Sequence, residues 1–435
     1  MTESDIIIIG AGPGGMDLCG LALKQNRRVV VIERDHIGGT CLNRGCIPTK
    51  ALCKSAEVAN TVKESSKYGV DVSGLSLDYK KAALRKDEVV TALREGAEAS
   101  LKGAEIVHGE AAFVDANTVE VNGERYTAPM IVIATGSEPS LLPIPGAELC
   151  MTSDQMLQMG HLPEDICIIG GGVIGMEFAC ILASFDVKVT VIEFCSEILP
   201  NFDREIGKRL KSLLSRKGIK IITSAAVKAV KPGLEVEYES KGKVQSISAS
   251  CVLMSVGRKP VIPDGAEKIG VKIGRRGIEV DSAFSTTVPG VYAIGDVNGK
   301  MMLAHVASAQ ASVLMGEKID LEVVPSAAFT SPECAMVGLS EEQCKASEIN
   351  YRTSKSLFRA NGKAMSMGET DGFVKMIIDS ESEKVLGCHI IGPHAADLVQ
   401  EVATCMTSDL TADAIASTIH AHPTLNEVIA NAIKQ

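Results

Sequence analysis

Runs of apolar residues followed by glycine-rich turns are the clearest pattern at the start of the chain. Residues Ile6–Ile9 form a continuous apolar run, as expected of a parallel strand that is buried on both faces. A glycine-rich turn and a helical pattern follow, and a second apolar run at residues 29–32 ends in Glu33. The pattern predicts a strand–turn–helix–strand unit whose turn lies at the carboxyl end of the first strand.

The same unit returns 160 residues later, with predicted strands at residues 167–169 and 187–192 and the acid Glu193 at the end. Both turns read G-x-G-x-x-G, with glycines at Gly10, Gly12 and Gly15 and at Gly170, Gly172 and Gly175. In both units the acid lies 18 residues beyond the last of these glycines. One such turn is a weak signal, because tight turns in glycine-rich chains have the same letters. Two copies in the same context indicate two dinucleotide-binding sites.

A β-hairpin is predicted between the two units. Asn122-Gly123 separates the segments Thr118–Val121 and Glu124–Thr127, and this dipeptide favours a type I′ turn. A buried strand is predicted at residues 130–134, and it runs into Thr135-Gly136.

Proline- and glycine-containing stretches suggest the domain boundaries. Residues 139–146 are the first candidate linker, and residues 257–263 close the middle unit. A third strand–turn unit is predicted at residues 291–296. Beyond about residue 322 the pattern changes to alternating strands, with helices from His394 onwards, which predicts an α+β C-terminal domain.

Size and charge narrow the functional classes. A chain of 435 residues is too long for one hydrophobic core and predicts two to four domains. A net charge of -10, the absence of Trp and an aromatic content of 3% disfavour a nucleic-acid partner. The first residues, MTESDIIIIGAG, lack the basic and long apolar regions of a signal peptide or a membrane span.

The cysteines indicate a reducing compartment. There are 13 of them, an odd number, and they are scattered along the chain. Most, such as Cys19, Cys180 and Cys251, have apolar neighbours and are predicted to be small core residues. In a reducing compartment a disulfide is more often catalytic than structural, so we expect a cytoplasmic protein.

Residues 38–50 read G-G-T-C-L-N-R-G-C-I-P-T-K and place Cys41 and Cys46 five positions apart. In an ideal helix such a pair is about 8–9 Å apart at Cα, whereas a disulfide needs less than about 7 Å. A disulfide therefore requires a bend, which Gly45 and Pro48 permit. A small strained ring is easily reduced, which suits a redox catalyst. Two free core thiols or half of a zinc site are the alternatives, although zinc lacks a nearby CxxC or CxxH partner.

This segment resembles the active-site signature of the pyridine nucleotide–disulfide oxidoreductases, and its residues are most similar to those of the dihydrolipoamide dehydrogenases. The resemblance extends from Asp5 to about Ala430. It implies an α/β fold with two Rossmann-like FAD- and NAD-binding domains and a C-terminal α+β dimerisation domain. It also implies a homodimer that passes electrons between thiols, a Cys41–Cys46 disulfide, FAD and NAD.

The family's domain order implies boundaries for this chain. Residues 1–140 and 265–318 would form the FAD-binding domain, residues 141–264 the NAD-binding domain, and residues 319–435 the dimerisation domain.

The resemblance also implies the cofactor contacts. The first glycine-rich turn and Glu33 are expected to bind the pyrophosphate and adenosine ribose of FAD, and the second turn and Glu193 those of NAD. Lys50 is expected beside the flavin, paired with Glu177; a solvated lysine and a helix-surface acid are the alternatives. The other expected cofactor contacts are Gly39, Thr40, Ala111, Thr135, Gly136, Ser137, Val227, Gly257, Asp296, Met302, Leu303, Ala304 and His305.

Residues 420–427 read H-A-H-P-T-L-N-E and match the family motif H-x-H-P-T-x-x-E. The resemblance makes His422 the acid–base catalyst and Glu427 its orienting carboxylate. The chemistry is suitable, because an unperturbed thiol has a pKa of about 8.5, and a histidine with a carboxylate behind it can take the thiol proton near neutral pH. The alternative for Glu427 is a capping box with Thr424. His420 is left open as a packing residue or a functional one.

Glu193 predicts a preference for NAD over NADP. Its carboxylate would face a 2′-phosphate, and two unit charges 4 Å apart repel by about 4 kcal/mol at an effective dielectric of 20. Residues 194–202 contain no Lys or Arg to offset this repulsion. Related mercuric and large thioredoxin reductases use an additional C-terminal cysteine pair, whereas the last cysteine here is Cys405.

The resemblance therefore predicts oxidation of protein-bound dihydrolipoamide with reduction of NAD. His422 would take a thiol proton, the thiolate would attack Cys41, and Cys46 would remain as a thiolate at the flavin. The alternatives are an NAD(P)H-dependent reductase of another low-molecular-weight disulfide and a flavin-binding scaffold without turnover. We expect the lipoyl group on another protein, from a 2-oxo-acid dehydrogenase or glycine-cleavage complex. We also expect a site shared between two subunits.

Overall fold

The computed structural model describes residues 2–434, so Met1 and Gln435, the outer ends of the predicted domains, lie outside it. Its first sheet is parallel, with strand order Val291–Ala293, Met130–Ile133, Ile6–Ile9, Val29–Glu33 and Glu105–His108. The central strand is buried at all four residues, as its unbroken apolar run predicts. Helices Pro13–Lys24 and Ala304–Leu314 pack against each other beside this sheet.

A second parallel sheet repeats this arrangement in the middle of the chain. Its strand order is Lys220–Ile222, Lys188–Ile192, Asp165–Ile169 and Val252–Met254. Helix Val173–Ser184 follows its glycine-rich turn and is buried along most of its length, and helix Arg204–Arg216 comes later. Both predicted strand–turn–helix–strand units are therefore present, with strand ends that differ from the prediction by at most two residues.

Smaller sheets flank and connect the parallel ones. The predicted hairpin forms, and Asn122 and Gly123 have φ angles of 52° and 83°, the positive values that a type I′ turn needs. Its sheet has strand order Thr2–Glu3, Glu124–Thr127, Thr118–Val121 and Ala112–Asp115. A second antiparallel sheet contains Ala225–Lys231, Glu235–Ser240 and Lys243–Ser248. Strands Ser137–Pro139 and Arg258–Pro260 pair where the chain passes between the two parallel sheets.

The C-terminal region is an antiparallel sheet covered by helices. Its strand order is Ser326–Ala328, Glu333–Gly338, Val385–Gly392, Phe373–Asp379 and Tyr351–Leu357. Its helices are Glu341–Ala346, Gly362–Met367, Ala395–Thr407, Ala412–Ser417 and Glu427–Lys434. The change to an α+β pattern predicted beyond about residue 322 is therefore confirmed.

The segment with the predicted redox cysteines bends at one residue. Helix Gly39–Arg44 ends just before Gly45, and helix Cys46–Lys63 begins directly after it. A Cβ added at Gly45 would lie only 2.8 Å from the Thr40 carbonyl oxygen, so the bend requires a glycine. Pro48 was predicted to share in this bend. It lies instead in the first turn of the second helix, where a missing N–H costs no intrahelical hydrogen bond.

The other helical segments complete the fold. They are the helices Tyr79–Ser100 and Ser153–Gln158 and the single 3-10 turns Ser65–Tyr68, Ala147–Leu149, Gly295–Asn298 and Phe358–Ala360. Within residues 2–434, none of the helices is long and apolar enough to span a bilayer.

Candidate active site

One cavity of about 2660 Å³ connects most of the predicted site residues. Ordinary small-molecule pockets reach about 1,000 Å³, so this cavity has room for more than one large ligand. The predicted site residues that line it are Gly10, Gly12, Gly15, Glu33, Gly39, Thr40, Cys41, Cys46, Lys50, Thr135, Gly136, Ser137, Gly170, Gly172, Glu177, Glu193, Val227, Gly257, Asp296, Met302, Leu303, Ala304 and His305. Four predicted residues, Ala111, Gly175, His422 and Glu427, are not among its lining residues.

The two glycine-rich turns have the same backbone geometry. The first glycine of each has a positive φ, +106° at Gly10 and +108° at Gly170. A Cβ at either position would lie 2.4 or 2.5 Å from a backbone carbonyl oxygen of a neighbouring segment. At Gly15 and Gly175 a Cβ would lie 2.0 or 2.1 Å from the carbonyl oxygen of that first glycine. The helix and strand therefore approach too closely for any side chain at these positions.

The second glycine of each turn is open instead. Gly12 and Gly172 are the N-caps of their helices, and a Cβ built on either meets no atom within 4 Å. Both residues line the cavity, so the open space lies at a helix N-terminus whose first N–H groups need acceptors. A dinucleotide pyrophosphate has the charge and the oxygen atoms that such a position binds. The residues present therefore fit two dinucleotides.

The acid at the end of each unit is held beside its own turn. Glu33 accepts backbone N–H hydrogen bonds from Ala11 at 2.7 Å and from Asp35 at 2.8 Å. Glu193 accepts the equivalent two hydrogen bonds, from the N–H of Gly171 at 2.5 Å and from that of Cys195 at 2.6 Å. Both acids are buried. Each carboxylate is thus fixed where the ribose of a dinucleotide bound at the turn would lie.

Cys41 and Cys46 are free thiols in this structure and lie on either side of the bend. A hydrogen bond from Cys41 and the positive charge of Lys50 lower the pKa of Cys46 to about 7. The same hydrogen bond and burial raise the pKa of Cys41. Cys46 is also the first residue of its helix, where the helix dipole favours a thiolate. Cys46 is therefore the thiol that ionises near neutral pH, and Cys41 keeps its proton.

Lys50 and Glu177 pair across the boundary between the two units. Lys50 Nζ donates to the two carboxylate oxygens of Glu177 at 2.9 and 3.0 Å. Glu177 is 3% exposed and also accepts the backbone N–H of Phe329 at 2.9 Å, and Lys50 Nζ lies 4.4 Å from the centre of the Phe329 ring. This geometry excludes a solvated lysine and a helix-surface acid. Phe329 had no signal in the sequence.

A half-buried arginine, Arg258, joins residues on another wall of the cavity. Arg258 donates to the hydroxyl oxygen of Ser137 at 2.8 Å and to its carbonyl oxygen at 2.7 Å, and the Ser137 hydroxyl donates to Asp296 at 2.5 Å. Burial lowers the pKa of Arg258 and raises the pKa of Asp296. The sequence analysis named Gly257 but missed Arg258, the next residue along the chain.

His422 does not line the cavity that contains the thiols of its own chain. Its Nδ1 is 2.8 Å from Glu427 Oε1, its side chain is 77% exposed, and its Nε2 has no hydrogen-bond partner within residues 2–434. The other Glu427 oxygen accepts the Thr424 N–H at 2.9 Å, which is half of a capping box. The hydrogen bond from His422 lowers the pKa of Glu427. Glu427 therefore serves the helix end and the imidazole together.

Comparison with known proteins assigns the family. Residues 4–311 match the family model described as pyridine nucleotide-disulphide oxidoreductase. Residues 324–433 match the dimerisation domain of pyridine nucleotide-disulphide oxidoreductases. The chain belongs to this family.

Similar proteins extend over nearly the whole chain. The dihydrolipoyl dehydrogenase of Geobacillus stearothermophilus is 39% identical over 98% of this chain and 94% of its own length. That of Bacillus subtilis is 39% identical over 99% and 97% of the two chains. Among solved structures, the HOCl-induced flavoprotein disulfide reductase RclA from Escherichia coli has a TM-score of 0.87 at 28% identity and covers 99% of each chain.

The family assignment confirms several predictions. The fold is two Rossmann-like units followed by a dimerisation domain, and the chain is an oxidoreductase whose family uses FAD and NAD. The dimerisation domain supports the predicted homodimer. The domain boundaries, the cytoplasmic location and the roles of individual site residues stay predictions.

Proposed function

We propose that this pyridine nucleotide-disulphide oxidoreductase oxidises protein-bound dihydrolipoamide and reduces NAD. The observation that carries the proposal is one cavity that joins the Cys41–Cys46 pair to two dinucleotide-binding turns. Identity of 39% to dihydrolipoyl dehydrogenases over almost the full length supports the substrate class. The partner is then a lipoyl-bearing protein of a 2-oxo-acid dehydrogenase or glycine-cleavage complex. The domain boundaries predicted above belong to this proposal.

The two turns divide the cofactors between them. Gly12 and Glu33 would hold FAD in the first unit, which the redox segment follows along the chain, and Gly172 and Glu193 would hold NAD in the second. FAD supplies a two-electron relay between the reduced thiol pair and the nicotinamide. Lys50 lies beside the thiols, where its charge favours the thiolate form of Cys46.

Thiol–disulfide exchange begins with proton transfer. His422 of the second subunit takes the proton of one dihydrolipoyl thiol at Nε2, and Glu427 stabilises the resulting imidazolium. The substrate thiolate attacks Cys41 Sγ, a mixed disulfide forms, and the Cys41–Cys46 bond breaks with the electron pair on Cys46. The second substrate thiol then attacks the mixed disulfide and releases oxidised lipoamide. Cys41 leaves as a thiolate and takes the proton from His422, and the second thiol's proton passes to solvent.

The thiol pKa values determine the direction of attack. A thiol with a lower pKa is the better leaving group in disulfide exchange. Cys46, with a pKa of about 7, is therefore expelled more readily than Cys41, whose pKa is raised. Attack on Cys41 thus leaves the thiolate on the residue beside Lys50.

Glu193 supports NAD as the preferred coenzyme, because its buried carboxylate occupies the position that a 2′-phosphate would approach. Arg204 also lines the cavity, so its contribution must be separated. We expect Glu193→Ala to lower kcat/KM for NAD and to relax discrimination against NADP, while Arg204→Ala leaves discrimination unchanged. Glu164→Ala, an exposed acid of the same unit, is the control. Higher kcat/KM with NADPH than with NADH in the wild type would reject this interpretation.

A second candidate is NAD(P)H-dependent reduction of another low-molecular-weight disulfide. The similarity to RclA, a flavoprotein disulfide reductase, favours it. The test is a flavin absorbance spectrum of the purified protein together with dihydrolipoamide-dependent NAD reduction, with free dihydrolipoamide and with a reduced lipoyl domain. Turnover with both supports the main proposal. A flavoprotein that reduces glutathione disulfide or cystine with NAD(P)H, but not lipoamide, would establish the second candidate instead. A colourless protein without turnover would leave the scaffold alternative.

A further inference from the structure

A second imidazole–carboxylate pair lies next to the His422–Glu427 pair. His420 Nε2 is 2.8 Å from Glu401 Oε1, the same separation as between His422 Nδ1 and Glu427 Oε1. The His420 side chain is 10% exposed, whereas that of His422 is 77% exposed. The two pairs therefore have the same chemical groups but opposite access to solvent.

The hydrogen bonds of His420 fix the number of protons that it shares with Glu401. Its Nδ1 lies 2.9 Å from the Thr418 carbonyl oxygen, so both ring nitrogens face oxygen atoms. A carbonyl and an ionised carboxylate only accept, and a neutral imidazole carries one N–H. The pair must therefore be imidazolium with carboxylate, or neutral imidazole with a protonated carboxyl group. Its net charge is zero in both states.

The same carboxylate also binds the far end of the loop. Asn426 Nδ2 donates to the second oxygen of Glu401 at 2.9 Å. Glu401 belongs to helix Ala395–Thr407, so one helix side chain holds residues on both sides of His422. Between them, buried Asn361 donates to the Thr424 carbonyl oxygen at 3.0 Å. The loop that carries His422 is thus attached at three points while His422 itself projects outward.

We propose that Glu401, through His420 and Asn426, is a positioning residue for the His422–Glu427 pair. The attachment holds the loop so that His422 Nε2 faces outward, toward the second subunit. Because the Glu401–His420 pair is neutral, it orders the loop without adding a net charge beside the acid–base group. This inference rests on the proposed function, since it concerns the same histidine.

Glu401→Ala and Glu401→Gln form the first test. The glutamine amide can donate to His420 Nε2 and accept from Asn426, and neutral His420 can still donate from Nδ1 to Thr418. We expect Glu401→Ala to lower lipoamide-dependent turnover roughly 10- to 100-fold through misplacement of the base. Glu401→Gln should keep most of the wild-type lipoamide-dependent turnover. Glu381→Ala, an exposed glutamate of the same domain, is the matched control. Wild-type turnover in Glu401→Ala would overturn the proposal.

A double-mutant cycle separates positioning from a general structural role. In a His422→Gln background, Glu401→Ala should cost no further activity, because its effect passes through His422. Electron transfer from NADH to ferricyanide does not need the acid–base group, so it should keep its wild-type rate in Glu401→Ala. The variant should also remain a dimer by light scattering. An equal loss in both backgrounds, slower ferricyanide reduction or dissociation to monomers would each refute a positioning role.

A measurement that needs no substrate distinguishes this inference from the proposed function. Long-range ¹H–¹⁵N spectra of histidine-labelled protein should show a proton on Nδ1 of His420 at neutral pH, with assignment by His420→Gln. A His420 ring protonated only at Nε2 would leave Thr418 without its hydrogen bond and would overturn the shared-proton pair. Absence of lipoamide turnover in the wild type would instead reject the substrate assignment and leave the spectra informative.

Discussion

The thiol half and the imidazole half of the proposed redox site have opposite surroundings within one chain. Cys41, Cys46 and Lys50 line a cavity built by both dinucleotide-binding units. His422 is 77% exposed and lies in the region that matches the family's dimerisation domain. Electron transfer requires that the thiols lie close to the cofactors, whereas proton transfer requires only one projecting side chain. The difference fits our proposal that a chain supplies its thiols to one site and its imidazole to another.

The two halves also differ in how their chemistry is adjusted. The pKa of Cys46 is lowered by its partner thiol and by Lys50, which are both on the same short segment. His422 depends on Glu427 and on a loop held from a separate helix. Local sequence therefore sets the thiol chemistry, and tertiary packing sets the position of the base.

Cys41→Ser should have the largest effect and removes only the thiol half. We expect lipoamide turnover to fall by a factor on the order of 10³ or more, because the disulfide sulfur that the substrate thiolate attacks is lost. FAD should remain bound, and Cys46 should show a thiolate–flavin charge-transfer band. Cys46→Ser should lose both the turnover and the band. Normal turnover in Cys41→Ser would contradict the assignment of Cys41 and Cys46 as the redox pair.

His422→Gln removes only the imidazole half. We expect turnover with dihydrolipoamide to fall roughly 10²- to 10⁴-fold, as when a general acid–base group is lost, while flavin reduction by NADH is retained. His161→Gln, an exposed histidine outside the cavity lining, is the control. A matching loss in the NADH half-reaction would show that His422 acts on folding or cofactor binding rather than on the thiol.

Heterodimers of the two variants test directly whether the halves come from different subunits. Co-expression of differently tagged Cys41→Ser and His422→Gln chains should give heterodimers with one intact site, because the symmetric interface completes two sites at once. We expect at most half of the wild-type activity per dimer after tandem affinity purification. Heterodimers as inactive as both parents would place His422 within its own chain's site. A fully active monomer would refute the shared site more directly.

Glu427→Gln should have a smaller effect than loss of His422 itself. It removes a charge-assisted hydrogen bond worth about 1.5–3 kcal/mol, which corresponds to a roughly 10- to 100-fold lower kcat/KM for dihydrolipoamide. The imidazolium formed during turnover loses its carboxylate, so the acid limb of the pH profile should move to lower pH. An unchanged profile would mean that Glu427 only satisfies the Thr424 N–H.

Lys50→Met should have the smallest effect on turnover of these variants. It tests whether the Lys50 charge lowers the pKa of Cys46. In the wild type, the charge-transfer band of the reduced enzyme should grow as pH rises through about 7, the pKa of Cys46. Loss of the positive charge raises that pKa, so the midpoint should move upward by about one pH unit. Lys54→Met, one helical turn further on and exposed, is the control. A midpoint unchanged by Lys50→Met would show that the Lys50 charge does not lower the pKa of Cys46.

The repeated units, the hairpin and the redox motif could be predicted from the sequence because they depend on short-range patterns. Apolar runs indicate burial of adjacent residues, and Asn122-Gly123 between two short strand patterns favours a type I′ turn. The spacing of Cys41 and Cys46 already required a bend. The structure assigned that bend to Gly45 alone, because Pro48 fits without strain in the first turn of the next helix.

The contacts that complete the site depend on packing between distant segments. Lys50 meets Glu177 across 127 residues, and Arg258 meets Ser137 across 121. Glu401 reaches both ends of the His422 loop from a separate helix. Periodicity and turn propensity are properties of neighbouring residues, so they carry no information on which distant side chains the packed sheets and helices bring together. For the same physical reason, the exposure of the His422 side chain and the attachment of its loop appeared only in the tertiary structure.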